Sequence, residues 1–228
     1  MIKNALTRYD SGRGVLMNQE IMIEKASAAS TVGATLNSMA VGDMVEIMTG
    51  STDKSVIEST MIALWQGSNN RFSHEFAYEA KMGKKTLGMM TCYPVTVMDK
   101  LAIPTAKQIL HIRGMAMVSY ALKHPRSIYA LLTMEEGKKD EFHVGSIALL
   151  PESRGLGISK QLLQKAEALA KEASFSKISL TVREDNPKAK ELYERIGYRQ
   201  VGHIARGPLS LYRMMKPINK GDTQHGEA

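Results

Sequence analysis

The sequence contains one cysteine, few aromatic residues and no long apolar run. A lone thiol, Cys92, cannot form an internal disulfide or a cysteine-based zinc site, so a reducing cytoplasm is the expected compartment. No stretch approaches the roughly 18 apolar residues of a membrane-spanning helix, and no signal-peptide core is present. Internal repeats, heptads and metal-spaced His/Cys clusters are also absent. We therefore expect neither a membrane protein nor a bound metal.

The 228 residues carry a net charge of +7 at pH 7, with 43% hydrophobic and 23% charged residues. These fractions are ordinary for a globular protein, and the length suits one domain, with or without an elaborate insertion. The positive charge favours an acidic partner, either a nucleic acid or a ligand with several phosphate groups. The Lys and Arg residues are scattered among Asp and Glu without a dense basic block, which disfavours nucleic acid. A solvated basic surface accounts for the charge equally well.

Residues 142–202 organise the chain. Residues 144–150 form a short, nearly continuous apolar run, as expected for a strand that is buried on both faces. Pro151 ends this run, and a glycine-rich turn follows. The turn leads into a helix whose apolar residues recur at helical spacing, namely Ile158, Leu162, Ala166, Leu169 and Ala170.

The turn at 154–159 reads Arg-Gly-Leu-Gly-Ile-Ser. Its two glycines let the backbone approach a ligand, and the free amides and dipole of the following helix favour an anion. The turn therefore predicts a site for a phosphate-bearing cofactor, although glycines that only make a tight turn give the same pattern. It lacks the Gly-Lys-Ser/Thr ending of a nucleoside-triphosphate loop and the G-x-G-x-x-G of a dinucleotide fold.

A second strand, a short helix and a third strand complete this stretch. Residues 177–182 predict another buried strand, and Asn186 and Pro187 are typical of a helix start. Gly197 occupies the place of a helix C-cap, and a last strand starts near Tyr198.

These residues resemble the GCN5-related N-acetyltransferases, the GNAT superfamily. Its acetyl-CoA loop, Arg/Gln-x-x-Gly-x-Gly/Ala, is matched by Arg154, Gly157 and Ser159, with serine in place of the usual Gly or Ala. Its second signature, Asn-x-x-Ala-x-x-Leu-Tyr-x-x-x-Gly-Tyr/Phe, is matched by Asn186, Ala189, Leu192, Tyr193, Gly197 and Tyr198.

The resemblance implies a mixed α/β (α+β) fold with a central, mostly antiparallel mixed sheet flanked by helices. We expect a flexible extension over 1–16, with Met17 as the natural start, a single domain over 17–218 and a disordered tail over 219–228. Apolar spacing predicts helical structure over 31–48, with Gly42 as a potential break, a helix over 55–65, and a hairpin of strands over 76–82 and 86–93. A helical insertion is expected over about 103–132, before the central strand, and two closing strands are split at Gly207 and Pro208.

The resemblance also implies an N-acetyltransferase that moves an acetyl group from acetyl-CoA to a primary amine by direct attack. Backbone groups of Ile147, Ala148 and Leu149 would bind the pantetheine arm. The pyrophosphate would be held by Arg154, Gly155, Leu156, Gly157, Ile158 and Ser159. Asn186 would contact the cofactor arm besides capping its helix, and Tyr193 would protonate the CoA sulfur unless it is only a core tyrosine.

Other features stay open at this point. Glu141 and His143 are candidate general bases, but a charged strand entrance is the simpler and preferred explanation for both. His111, Arg113 and Tyr120 of the insertion are candidates for acceptor recognition or plain structural residues, and the Met-rich insertion permits a homodimer contact. A non-catalytic acyl-CoA-binding regulatory domain is the first alternative function, and a basic nucleic-acid-binding module is the second. The acceptor amine cannot be read from the sequence.

Overall fold

The computed structural model describes residues 20–206 and 209–218. The expected extension over 1–16, the start at Met17, the break at Gly207 and Pro208 and the tail over 219–228 lie outside the described residues.

The described residues form one sheet of seven strands in the order β1-β2-β3-β4-β5-β7-β6. All neighbours are antiparallel except β4 and β5, which are parallel. The strands are β1 Ile21–Lys25, β2 Ala77–Met82, β3 Lys85–Pro94, β4 Phe142–Leu149, β5 Lys177–Arg183, β6 Arg199–Arg206 and β7 Leu209–Pro217.

Helices cover both faces of the sheet. Successive strand residues point to opposite sides, so each face has apolar side chains against which helices pack. Met90 of β3 belongs to a large apolar core beneath one helix, and the neighbouring Met89 belongs to a second core with Leu36 and Trp65. The helices are α1 Thr31–Val41, α2 Met44–Thr49, α3 Lys54–Gln66, α4 Val95–Arg113, α5 Met115–Lys123, α6 Pro125–Leu132, α7 Ile158–Glu172 and α8 Pro187–Ile196. Helix α7 packs on the first core, and α1 and α3 pack on the second.

A β-bulge in β4 interrupts its pairing with β3 at the point where the ladder to β5 ends. Val144 pairs with Cys92 of β3 and Ser146 pairs with Thr91, so Gly145 is the extra residue between them. A side chain at this position would overlap the phenol ring of Tyr93, and glycine avoids that collision. The parallel ladder between β4 and β5 runs only from Phe142 to Val144, immediately before the bulge. Beyond it the two strands separate and leave a cleft.

The predicted fold class is confirmed, including a helical segment before the central strand. This segment starts earlier than expected, because α4 begins at Val95 and contains Pro104 in its interior. Proline is common at the first position of a helix. Inside α4, Pro104 instead removes one main-chain hydrogen bond. The predicted helix over 31–48 divides at Gly42, whose φ of +61° lies in the left-handed region.

Candidate functional site

Beyond the bulge, one backbone edge of β4 faces the cleft. Ile147, Ala148 and Leu149 pair with β3 through their other edge, opposite Met90, Met89 and Gly88. Their side chains are half-buried against the two apolar cores. The amides and carbonyls on the cleft side are therefore available to an extended ligand that lies where β5 has moved away.

The turn after β4 opens towards solvent. Gly155 and Gly157 have φ values of +81° and +73°, in the left-handed region that favours glycine. A Cβ atom at either position would meet no other atom within 4 Å, so the space in front of the turn is open. Arg154 is exposed, whereas Leu156 is half-buried against the core beneath α7.

Helix α7 begins with amides that no side chain caps. Gly157 is the N-cap residue and lacks a side chain, and the first turn contains no acidic residue. Ile158 is fully buried and anchors this turn in the core, while Ser159 is half-buried. Free amides and the positive end of the helix dipole make this end of α7 suited to an anion.

The cleft between β4 and β5 leads into a cavity of about 150 Å³. Ser146 and Ile147 line it from β4, and Asn186 and Tyr193 line it from α8 and its start. The cavity lining does not include Ala148 and Leu149, which lie further along β4. It does not include the turn at 154–159 either, which lies beyond the end of β4. A shallower depression of about 440 Å³ at Pro125, Tyr129 and Arg206 contains none of the predicted site residues.

Tyr193 and Asn186 reach this cavity from the same helix. The Tyr193 side chain is nearly buried, and desolvation raises its pKa to about 12. The phenol therefore carries its proton at neutral pH and can donate it. The Asn186 Oδ1 atom accepts a hydrogen bond from the Ala189 amide at 3.2 Å, which caps α8 and leaves the side-chain NH₂ group for another partner.

The opposite wall of the cavity contains an ion pair that sequence reasoning missed. Arg71, in the loop after α3, donates to Glu136, in the loop before β4, and both line the cavity beside Tyr93. Burial raises the pKa of Glu136, but the Arg71 charge outweighs it and holds the value below the usual range. The two residues lie 65 positions apart in the chain, in segments without periodicity, so only the fold reveals the pair.

The two candidate bases, Glu141 and His143, are buried rather than placed at a solvated strand entrance. Arg213 of β7 and the Lys138 amide donate to the Glu141 carboxylate. Burial lowers the pKa of His143 to about 4, so this imidazole is neutral at neutral pH. Neither residue is among those that line the cavity. The expectation of a charged strand entrance is therefore wrong.

The insertion residues considered for acceptor recognition do not line the cavity either. Arg113 donates to the carbonyl of Thr49 at 2.8 Å, and Tyr120 stacks on His124 with ring centroids 4.3 Å apart. The insertion region contributes Leu131 and Met134 instead.

Comparison with known proteins gives a family and a fold. A family model described as the acetyltransferase (GNAT) family matches residues 43–198. Among solved structures, an N-acetyltransferase from Staphylococcus aureus Mu50 aligns with a TM-score of 0.68 and 20% identity, over 85% of this chain and 99% of that one. Another, titled as an acetyltransferase, aligns with a TM-score of 0.63 and 19% identity, over 87% of this chain and all of that one. No curated protein sequence gives a significant match.

Two kinds of feature are absent from the described residues. None of the described helices is long and apolar enough to cross a bilayer. No group of three or more His, Cys, Asp or Glu residues placed to hold a metal ion occurs within 20–206 and 209–218.

Proposed function

Since this chain belongs to the acetyltransferase (GNAT) family, we propose that it transfers the acetyl group of acetyl-CoA to a primary amine by direct attack. One observation carries the proposal. Strands β4 and β5 separate next to the Gly145 bulge and leave a cleft. A protonated, buried tyrosine lines the cavity in this cleft, and an uncapped helix start lies beyond the end of β4.

The free groups along β4 fit an extended donor. The open turn at 154–159 and the first amides of α7 would bind the pyrophosphate, chiefly through backbone N–H groups. The cleft-side backbone of Ile147, Ala148 and Leu149 would bind the pantetheine arm, as a strand does at the edge of a sheet. The Asn186 NH₂ group would contact the same arm, and the thioester would end in the cavity.

The cavity residues have defined tasks in the acyl transfer. A backbone amide of β4 polarises the thioester carbonyl and stabilises the oxyanion that forms when the amine nitrogen attacks. The carbon–nitrogen bond forms, the carbon–sulfur bond breaks, and Tyr193 donates its phenolic proton to the departing thiolate. A buried, protonated phenol suits this task because it does not ionise before the sulfur needs the proton.

The acceptor side is mostly apolar. Methionine and other apolar side chains line the cavity together with the Arg71–Glu136 pair, namely Ala40, Val41, Met44, Met48, Phe72, Leu131, Met134 and Leu211. We propose an acceptor whose amine lies at the ion pair and whose adjoining body is apolar. Three further points stay predictions: a cytoplasmic location, a homodimer contact through the insertion and a single domain over 17–218.

Calorimetric titration with acetyl-CoA and with CoA tests the donor site. Gly157→Glu should abolish binding, because it places a carboxylate at the expected pyrophosphate position. Gly114→Glu is the matched control, since Gly114 also has a left-handed φ, +55°, and open space around its Cβ position. Equal weakening by both variants, or no binding by the wild type, would contradict the donor site.

A thiol-release assay tests the transfer. The acceptor panel is 2-phenylethylamine, spermidine, kanamycin, a lysine-free peptide with a free N-terminus and an N-terminally blocked peptide with one lysine. Amine-dependent thiol release supports the proposal, and we expect it to be fastest with 2-phenylethylamine. Donor binding without thiol release from any member would instead favour a regulatory acyl-CoA-binding domain, and steeply salt-dependent binding of DNA or RNA would favour the nucleic-acid module.

A further inference from the structure

The helical insertion exposes most of the large apolar side chains on this protein's surface. Residues 20–206 and 209–218 contain eleven such exposed side chains, and seven belong to α4, α5 and α6, namely Ile103, Leu110, Ile112, Met115, Leu122, Tyr129 and Leu132. Leu122 and Met115 are the most exposed, at 79% and 76%. Scattered apolar residues are normal on a protein surface, but a concentration of them in one segment marks an interaction site.

Each of the three helices presents these side chains along an exposed stripe at intervals of three or four residues. The stripes consist of Lys100, Ile103, Lys107 and Leu110 in α4, Met115, Ser119 and Leu122 in α5, and Arg126, Tyr129 and Leu132 in α6. Helix α5 contains no buried residue, so it lies on the surface of the protein along its whole length. We call the three stripes together the insertion surface.

The insertion is also basic. No Asp or Glu occurs between Asp99 and Glu135, whereas this segment contains the five cations Lys100, Lys107, Arg113, Lys123 and Arg126. All of them except the half-buried Arg113 are exposed. Arg206 of β6 lies with Arg126 and Tyr129 at the shallow depression of about 440 Å³. The segment therefore combines protruding apolar side chains with positive charge and has no compensating acidic residue.

We propose that the insertion surface binds peripherally to an anionic lipid bilayer. Protruding side chains such as Leu122 and Leu132 would enter the boundary between headgroups and acyl chains, and Tyr129 would lie at the headgroup level. The flanking lysines and arginines would contact lipid phosphates, which attract basic residues close to the bilayer. The attachment is peripheral, because none of the described helices is long and apolar enough to cross the bilayer.

The charge of the segment disfavours a second copy of the chain as the partner. In a twofold dimer the same patch of each subunit faces the other. The five cations of one insertion would then face five like charges, with no acidic residue of the segment to pair with them. An anionic surface instead compensates all of them.

The shape of the insertion surface disfavours a peptide or a nucleic acid. A helical peptide binds in an apolar groove. Of the seven exposed apolar side chains, however, only Tyr129 lines either of the two depressions found in residues 20–206 and 209–218. A nucleic acid would pair with the cations but would leave Met115 and Leu122 against water or phosphate. A bilayer accommodates protruding apolar groups and cations together.

Sedimentation of the full-length protein with lipid vesicles tests the proposal. We expect binding to phosphatidylcholine vesicles that contain about 30% phosphatidylglycerol, and at least about tenfold weaker binding to phosphatidylcholine alone. Raising the salt concentration should weaken the binding to the anionic vesicles, because it screens the cations.

Two pairs of variants separate the apolar contribution from the charge. Leu122→Ser with Leu132→Ser should weaken binding to the anionic vesicles about tenfold or more. The matched control, Val32→Ser with Met39→Ser, changes exposed apolar residues of α1 and should stay within about twofold of the wild type.

For the charge, Lys107→Gln with Lys123→Gln should weaken binding to the anionic vesicles about tenfold or more. Lys84→Gln with Lys171→Gln removes the same charge from exposed positions outside the insertion and should stay within about twofold of the wild type.

Tryptophan fluorescence measures insertion into the bilayer directly. The single native tryptophan, Trp65, is buried and should not respond to vesicles. In a Leu122→Trp variant, the emission should shift to shorter wavelength when anionic vesicles are added, because the indole leaves water. Met39→Trp is the control and should show no shift.

Four results would overturn the inference. They are no vesicle binding, equal binding to both kinds of vesicle, equal weakening by a variant pair and its control, and no emission shift in Leu122→Trp. A dimer in light scattering that Leu122→Ser with Leu132→Ser dissociates, without vesicle binding, would assign the surface to a second copy instead. These tests use neither acetyl-CoA nor an acceptor, so their failure leaves the proposed function unchanged.

Discussion

Lowering the pH from 7 to 5 should destabilise this protein through one buried imidazole. Burial lowers the pKa of His143 from 6.5 to about 4 in the folded protein. The unfolded chain therefore binds a proton that the folded protein excludes. The stability that depends on this group is present above the unfolded pKa and is lost as the pH falls from 6.5 towards 4.

The size of the effect follows from the two pKa values. Linkage predicts that about 2 kcal/mol of unfolding free energy is lost between pH 7 and pH 5. For a chain of this length, the corresponding fall in Tm is about 4–8 °C. Burial raises the pKa values of Glu136 and Glu141, but their Arg71 and Arg213 partners outweigh it and hold both below the usual range. These carboxyls therefore act at lower pH, outside this window.

Urea unfolding at pH 7, 6 and 5 measures the effect. His143→Gln has no group that titrates here, so its stability should change by less than half as much as that of the wild type over this range. His111→Gln is the control, because the His111 side chain is exposed and makes no hydrogen bond or ion pair within residues 20–206 and 209–218, so this variant should follow the wild-type curve. Parallel pH dependence of the wild type and His143→Gln would refute the reasoning.

Three other substitutions test separate features. Tyr193→Phe should lower kcat for thiol release about 100-fold or more while leaving acetyl-CoA binding unchanged, and equal turnover would identify another acid. Gly145→Ala should lower the unfolding free energy by about 1–3 kcal/mol through collision with Tyr93. Its control, Gly202→Ala, places a Cβ only in ordinary contact, 3.6 Å from a neighbouring side chain, and equal losses in denaturant unfolding would argue against the collision. Pro104→Ala should raise Tm, because it restores a helix hydrogen bond, and a lower Tm would show that the ring is needed for packing.

The elements along the cleft beside β4 could be predicted from the sequence because they are consecutive. The strand at Ile147, the turn at Gly157 and the helix that carries Tyr193 each have a local pattern of apolar spacing, glycine or capping residue. Such patterns depend on neighbours within a few residues, so reading along the chain recovers them. The order of these elements then indicates the family. In the structure, Ile147 and Tyr193 lie along one cleft, and Gly157 lies beyond the end of β4.

The cavity wall that contains Arg71 and Glu136 could not be predicted in the same way. Arg71 and Glu136 lie in loops without periodicity, and their pairing depends on how α3 and the helical insertion pack. The burial of His143 was missed for a related reason. A polar residue in a strand is expected to face water. His143 is buried instead, with Ser179 of β5 and Glu136 of the loop before β4 next to its two ring nitrogens.

The short ladder at the centre of the sheet has a mechanical consequence. Three residue pairs join β4 to β5, whereas seven join β5 to β7. The sheet thus consists of a four-stranded panel and a three-stranded panel along a seam that few main-chain bonds hold. Local opening at this seam should therefore cost less free energy than opening within either panel. A donor whose amide groups bond to both edges would act as a missing strand, so its binding would stiffen the sheet as a whole.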